Sequence, residues 1–245
     1  MNDLTKSERL RSFILENVDS LEFEAFYPPF DEVPDFELHA RDYLQYAKEE
    51  IDRGADINLI DCISNLKRAL DCQVDSYLHT FNLLALVRGK NLGIDKKLEF
   101  LSKVGIFSSR SLSRFNTIRN KIEHEYKAPH IEDIDVYFDL ISAFASILER
   151  ATLIHSGLEG FVNETRNQFT IEYQRDQICI EVNWGQYDED ALKKGEVKLG
   201  NEPLIACAKK DIDEFTFFFR VLNLMSLLAV RQSSRSYVKS QLREI

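Results

Sequence analysis

The chain has 245 residues, 44% hydrophobic and 29% charged, so it can bury a sizeable core and is not disordered in composition. Its net charge of −10 excludes a general nucleic-acid coat, because such a protein neutralises many phosphates. Nine glycines and five prolines are few, which favours long helices over many short strands.

Residues 5–18 read as a first amphipathic helix. Residues 19–34 are acidic and aromatic, with Phe23, Phe26, Tyr27 and Phe30, and read as an extended segment packing its aromatics on the body. Across 12–40 there are eight acids and no Lys or Arg, and the acidic segment 19–37 has the charge to cover the basic region 103–127 as an internal inhibitor. A helix should begin near Asp35, which can cap it, and stop at Gly54. Ile60, Ile63, Leu66, Leu70, Val74, Tyr77, Leu78, Phe81 and Leu84 recur at helical spacing and predict one long helix over 56–88. His79 on it, and His39 on the helix before, read as structural. A short helix over 94–104 ends at Gly105. Ser108, Ser109 or Ser111 can cap the next helix, which must end before Pro129. Glu132, Asp133 and Asp135 favour a further start, and that helix runs through Phe138, Ile141, Phe144 and Leu148 to about 154. Gly157 and Gly160 mark a break.

After the break the period becomes two. Phe169, Ile171 and Tyr173, then Ile178, Ile180, Val182 and Trp184, predict a β-hairpin over 168–184 that turns at 174–177. Residues 196–199 and 204–208 can add short strands. Asp211 with Glu214 resembles a capping box opening a long C-terminal helix. The apolar run 215–230 is interrupted by Arg220 and Asn223 and is short for a membrane span, so it reads as a buried helix. The basic end of that helix, Arg231, Arg235, Lys239 and Arg243, solvates a helix terminus or touches RNA. The expected fold is mainly α: an antiparallel helical bundle over 36–156, preceded by the N-terminal segment 1–35 and followed by a small α+β appendage over 157–245.

Cys62, Cys72, Cys179 and Cys207 form no CxxC pair and no metal-ligand spacing, and the N-terminus lacks a signal-peptide pattern. Free thiols in a reducing cytoplasm are the expectation. No P-loop, GxGxxG or GxSxG occurs.

The chemistry concentrates in residues 119–126, RNKIEHEY. They lie in the most basic stretch of an acidic chain: residues 103–127 hold six bases against two acids. Projected as a helix, Phe115, Ile118, Ile122 and Tyr126 form an apolar stripe, Arg119 sits at its margin with Glu123 one turn on, and Asn120 and His124 share the opposite row. Without further context this is a surface helix with an Arg119–Glu123 pair worth about 0.2–0.5 kcal/mol. A metal site is weakly supported: His124 and His130 are separated by Pro129, and no HExxH is present.

The octapeptide resembles the signature of the HEPN superfamily, with Arg119, Asn120 and His124 in the Arg, polar and His places and Tyr126 extending the match. The predicted helices over 56–154 resemble a HEPN bundle with the motif between its last two long helices. A second Arg-x4-His, Arg150 to His155, lacks the polar neighbour, the Glu and the Tyr, and is read as coincidence. The resemblance implies a metal-independent endoribonuclease that needs no cofactor and leaves a 2′,3′-cyclic phosphate and a 5′-hydroxyl. His124 would move protons and Arg119 would hold the phosphate oxygens. Asn120, Glu123 and Tyr126 would support them, and the bases Arg110, Arg114, Lys121 and Lys127 would meet RNA. It also implies a homodimer with facing motifs, a toxin or antiviral setting in the cytoplasm, and an antitoxin or regulatory protein as partner. The other readings are a non-catalytic HEPN-like module that binds RNA or nucleotide, or regulates through dimerisation, and a purely structural helical protein.

Overall fold

The computed structural model describes residues 4–53, 56–89, 93–107, 110, 112, 114, 117, 134–154, 156–163, 167–186 and 202–244. The chain divides into two compact units, one of residues 1–30, 103–105 and 154–245, the other of residues 31–102 and 106–153. The expected consecutive stretches 1–35, 36–156 and 157–245 do not coincide with them, because the two ends of the chain share one sheet.

That sheet has five antiparallel strands in sequence order: β1 (Leu21–Tyr27), β2 (Gly157–Val162), β3 (Asn167–Gln174), β4 (Cys179–Gly185) and β5 (Leu204–Cys207). The hairpin β3–β4 follows the predicted alternation, and β5 falls within the stretch 204–208 read as a short strand. The sequence reading did not contain β1 and β2 as strands. In β1 burial alternates strictly, but Phe26 stands on the exposed face and breaks the apolar–polar alternation of the sequence. In β2 the two glycines that read as a break mark close backbone approach instead. A Cβ at Gly160 would lie 2.1 Å from the Glu22 carbonyl oxygen, and one at Gly157 would lie 2.5 Å from both the Ile171 oxygen and the Tyr27 ring.

One sheet face is packed. Phe169, Ile171, Tyr173, Ile180 and Val182 are buried on it; α1 (Lys6–Asn17) and α7 (Ile212–Ala229) of the same unit cover this face, and α8 (Arg235–Arg243) packs on those two helices. Thr5 and Glu8 close a capping box on α1. Asp211 caps α7 by accepting from the Asp213 and Glu214 amides, both at 3.0 Å. Tyr173 meets Phe219 at 5.4 Å and Phe215 at 6.0 Å between ring centres, and Phe13 stacks on Trp184 at 4.6 Å. The expected long C-terminal helix is two helices: Arg231 takes φ 59°, and Ser234 starts α8 by accepting from the Tyr237 amide at 3.1 Å. The two polar interruptions of the apolar run have structural partners. Asn223 donates to the Val104 carbonyl at 2.8 Å and Arg220 to the Lys103 carbonyl at 3.3 Å.

Two of the four expected free thiols are a disulfide. Cys179 and Cys207 stand opposite each other on β4 and β5 and are bonded, whereas Cys62 and Cys72 are free. Strand pairing brings together residues 28 apart, which no CxxC rule detects.

The second unit is helical: α2 (Ala40–Arg53), α3 (Asp56–Thr80), α4 (Leu84–Gly89), α5 (Ile94–Lys103) and α6 (Ile134–Ala151). Helices α2, α3 and α6 pack on one another through Leu44, Ala47, Ile63, Leu66, Leu70, Val74, Ile141, Phe144 and Leu148, all buried. The helix expected from Asp35 begins at Ala40, because Pro34 is buried in an extended stretch and Asp42 accepts the His39 amide at 2.7 Å. The helix expected over 56–88 breaks after Thr80, where Asn82 adopts φ 54° and the Leu83 amide bonds back to the Leu78 carbonyl at 2.7 Å. The mainly α bundle with a small appendage is therefore overturned: the protein is α+β, with a substantial sheet into whose first connection, β1 to β2, the helical unit is inserted. Among the described residues no helix is long and apolar enough to cross a membrane.

Candidate functional site

The predicted site residues Arg119, Asn120, Lys121, Glu123, His124, Tyr126 and Lys127 lie outside the described residues, as do 196–199. Their approach is described in part. Arg110, Leu112, Arg114 and Thr117 are helical; Leu112 is buried, and Arg110, Arg114 and Thr117 are exposed. Two guanidiniums on the solvent side of a helix anchored by a leucine suit contact with a polyanion. Among the described residues no group of three or more His, Cys, Asp or Glu could hold a metal ion.

The other basic candidate, the C-terminal helix, is occupied internally at two of its four bases. Arg235 donates through Nε to the Val18 carbonyl at 2.9 Å and through Nη2 to that of Leu21 at 3.1 Å, and Lys239 pairs with Asp19. These bonds clamp the turn between α1 and β1, so Arg235 and Lys239 are structural ties in the sheet unit.

Neither free thiol is poised for chemistry. Burial, then the charges of Glu50 and Asp135, push the Cys62 thiol up to about 12. Burial also raises that of Cys72, against the lowering effect of a Ser76 hydrogen bond. Both are neutral at physiological pH and unreactive by the thiolate criterion.

The helical unit holds a pocket of about 330 Å³ beneath residues 31–39. This segment is tied to α3 at two points: Thr80 Oγ1 donates to the Glu32 carbonyl at 3.2 Å, and Cys72 Sγ to the Leu38 carbonyl at 3.6 Å. Between the ties, Gln73 and Ser76 line the floor from α3, Pro34 and Ala40 give apolar wall, and Glu149 of α6 and Thr152 in the turn after it close the side. Arg41 lies across the rim, its guanidinium bidentate to Glu149 at 2.8 and 2.6 Å and bonded to Ser146 Oγ at 2.8 Å. The hydrogen bond to Glu149 is the main cause that raises its pKa. His39, expected on a helix, stands exposed before α2 and lines this pocket. Sequence reading missed Gln73 and Arg41. The available signal was a glutamine beside Val74 on the core stripe of α3, which is buried to 6% exposure.

No protein-family model matches the chain, and no curated protein and no solved structure matches it.

Proposed function

We propose that the protein is a metal-independent endoribonuclease of the HEPN type, with Arg119 and His124 as its reacting pair. The octapeptide RNKIEHEY in the most basic stretch of a −10 chain carries this reading. The exposed Arg110 and Arg114 on the helical approach to it support the reading by giving an RNA backbone two contacts upstream. In the proposed step the ribose 2′-oxygen attacks the adjacent phosphorus while His124 takes its proton, and the P–O5′ bond breaks. The 5′-oxygen leaves with a proton supplied by a second imidazole, that of a second copy of the chain, which is why the reading includes a homodimer. Arg119 holds the non-bridging oxygens as their charge grows.

The setting we propose is growth arrest or defence, with an antitoxin or regulatory protein as partner. A cytoplasmic location fits that setting. The Cys179–Cys207 disulfide speaks against it, because structural disulfides persist mainly in oxidising compartments.

The test is incubation of the purified protein with end-labelled single-stranded RNA in EDTA. Cleavage leaving cyclic phosphate is expected, with losses of about a hundredfold or more in both Arg119→Ala and His124→Ala. RNA binding without cleavage turns the assignment to the non-catalytic module, a reading that the largely apolar pocket lined by Gln73 and Arg41 favours.

A further inference from the structure

The Gln73 pocket has an unusual polar balance. Most of its hydrogen-bonding groups are already satisfied by the protein. Thr80 Oγ1 is shared between the Glu32 and Ser76 carbonyls, both at 3.2 Å, Ser76 Oγ donates to the Cys72 carbonyl at 2.8 Å, and Thr152 Oγ1 to the Glu149 carbonyl at 2.7 Å. The rim charges cancel in the Arg41–Glu149 pair. Gln73 differs. It is more than nine-tenths buried, it lines the pocket, and among the described residues its side-chain amide has no hydrogen-bond partner. Its amide nitrogen and oxygen are not closed off from solvent, so a ligand edge can take the place of water there without breaking a bond within the protein.

The shape and chemistry restrict that occupant. A carboxamide offers a donor and an acceptor side by side, so it pairs with a planar edge that offers the complement. With its charges paired, the pocket gives no preference to a bare ion. Its volume of about 330 Å³ stands at the lower end of small-molecule sites. The Arg41 guanidinium is held in one plane by three hydrogen bonds and presents a flat cationic face on which a heterocycle can stack. Amide, flat cation and apolar wall together are the elements that read a splayed-out base.

We infer that this pocket binds a nucleobase, with Gln73 reading its hydrogen-bonding edge and Arg41 stacking on its face. Adenine is the best match, since glutamine pairs bidentately with an adjacent amino donor and ring-nitrogen acceptor. The base can come from a free nucleoside or from a single-stranded RNA. The inference does not depend on cleavage: binding at Gln73 is read without any reaction, and an inactive protein can still bind.

The experiment is titration of the ¹⁵N-labelled full chain with adenosine, guanosine, cytidine and uridine, with ribose 5-phosphate as a base-free control, and with a short oligoadenylate in EDTA. Saturable shifts of the Gln73 side-chain amide signals are expected with adenosine or oligoadenylate and not with ribose 5-phosphate. Tighter binding of the oligonucleotide identifies a base subsite for RNA, and equal or tighter binding of the nucleoside identifies a free-nucleoside site; both carry the inference. Gln73→Leu, close in volume, weakens adenosine by about tenfold or more, the discrimination of a bidentate base contact. Gln73→Glu keeps the acceptor, loses the donor and reduces the preference for adenine. Since the amide signals of the unaltered protein are themselves the primary readout, a variant that fails to fold leaves the test intact. Gln73 signals unmoved by every nucleoside and by the oligonucleotide, or adenosine binding unchanged in a folded Gln73→Leu, overturns it.

Discussion

In the helical unit the residues that meet along α3 are three, four and seven apart, as Ile63, Leu66 and Leu70 are, and each turn stabilises the next. In the sheet unit β1 must find β2 across the entire helical insertion, and nothing close to either strand in sequence rewards the pairing beforehand. The contrast teaches that this protein has one unit organised by local periodicity and one organised by long-range register. The register is secured by close approach at two glycines and by a disulfide between neighbouring strands.

Three measurements can break or sharpen that contrast. Trp184 is the chain's single tryptophan and stacks on Phe13, so its fluorescence follows the sheet unit, while far-ultraviolet ellipticity follows mainly the helices. Reduction of Cys179–Cys207 opens a cross-link between residues 28 apart, for which chain-entropy arithmetic gives a loss of about 3.6 kcal/mol. The urea midpoint read by Trp184 should fall, with the helical signal retained. Coincident loss of both would erase the distinction between the units.

Gly160→Ala places a methyl group against the Glu22 backbone and should cost the sheet unit about 1–3 kcal/mol by overpacking. Amide exchange in β1 should quicken first. Protection in β1 equal to that of the unaltered chain would show that the strands separate without cost.

The smallest effect concerns Glu172, which faces Glu181 directly across β3 and β4. Burial, and then the charge of Glu181, raise the Glu172 pKa. A carboxyl raised in the folded state favours folding below its ordinary pKa of 4.5, and this contribution is lost as pH rises through the folded value. At neutral pH the two charges oppose each other, in part screened by solvent. Glu172→Gln should therefore stabilise the sheet unit at pH 7 by about 0.2–1 kcal/mol and leave it unchanged at pH 3. A gain that persists at pH 3 would assign the effect to packing instead of charge.

Much of the helical unit was legible because burial on a helix repeats every three to four residues, and α5 and α6 fell near their predicted limits. The errors there were local: an αL residue at Asn82 divides what periodicity joins, and the start of α2 waits for the chain to clear Pro34. In the sheet unit the hairpin was legible from alternation, whereas β2 was hidden by the very glycines that admit its neighbours. The motif at 119–126 was read from residue type and spacing alone, and it lies outside the described residues. The pocket was not legible, because Gln73, Arg41 and Glu149 come from three helices and share no spacing.

By itself the sequence determined where most helices form, which of their faces are apolar, and which short stretch combines a cation, an amide and an imidazole. Those properties depend on neighbours within a turn or two. Only the tertiary structure decided that residues 21–27 join a sheet with residues 157–162, that Cys179 meets Cys207, and that Gln73 lines a pocket together with Arg41 and Glu149. Each of these depends on which distant surfaces the chain brings into contact, and such pairing follows from the burial of the whole core and from no local pattern.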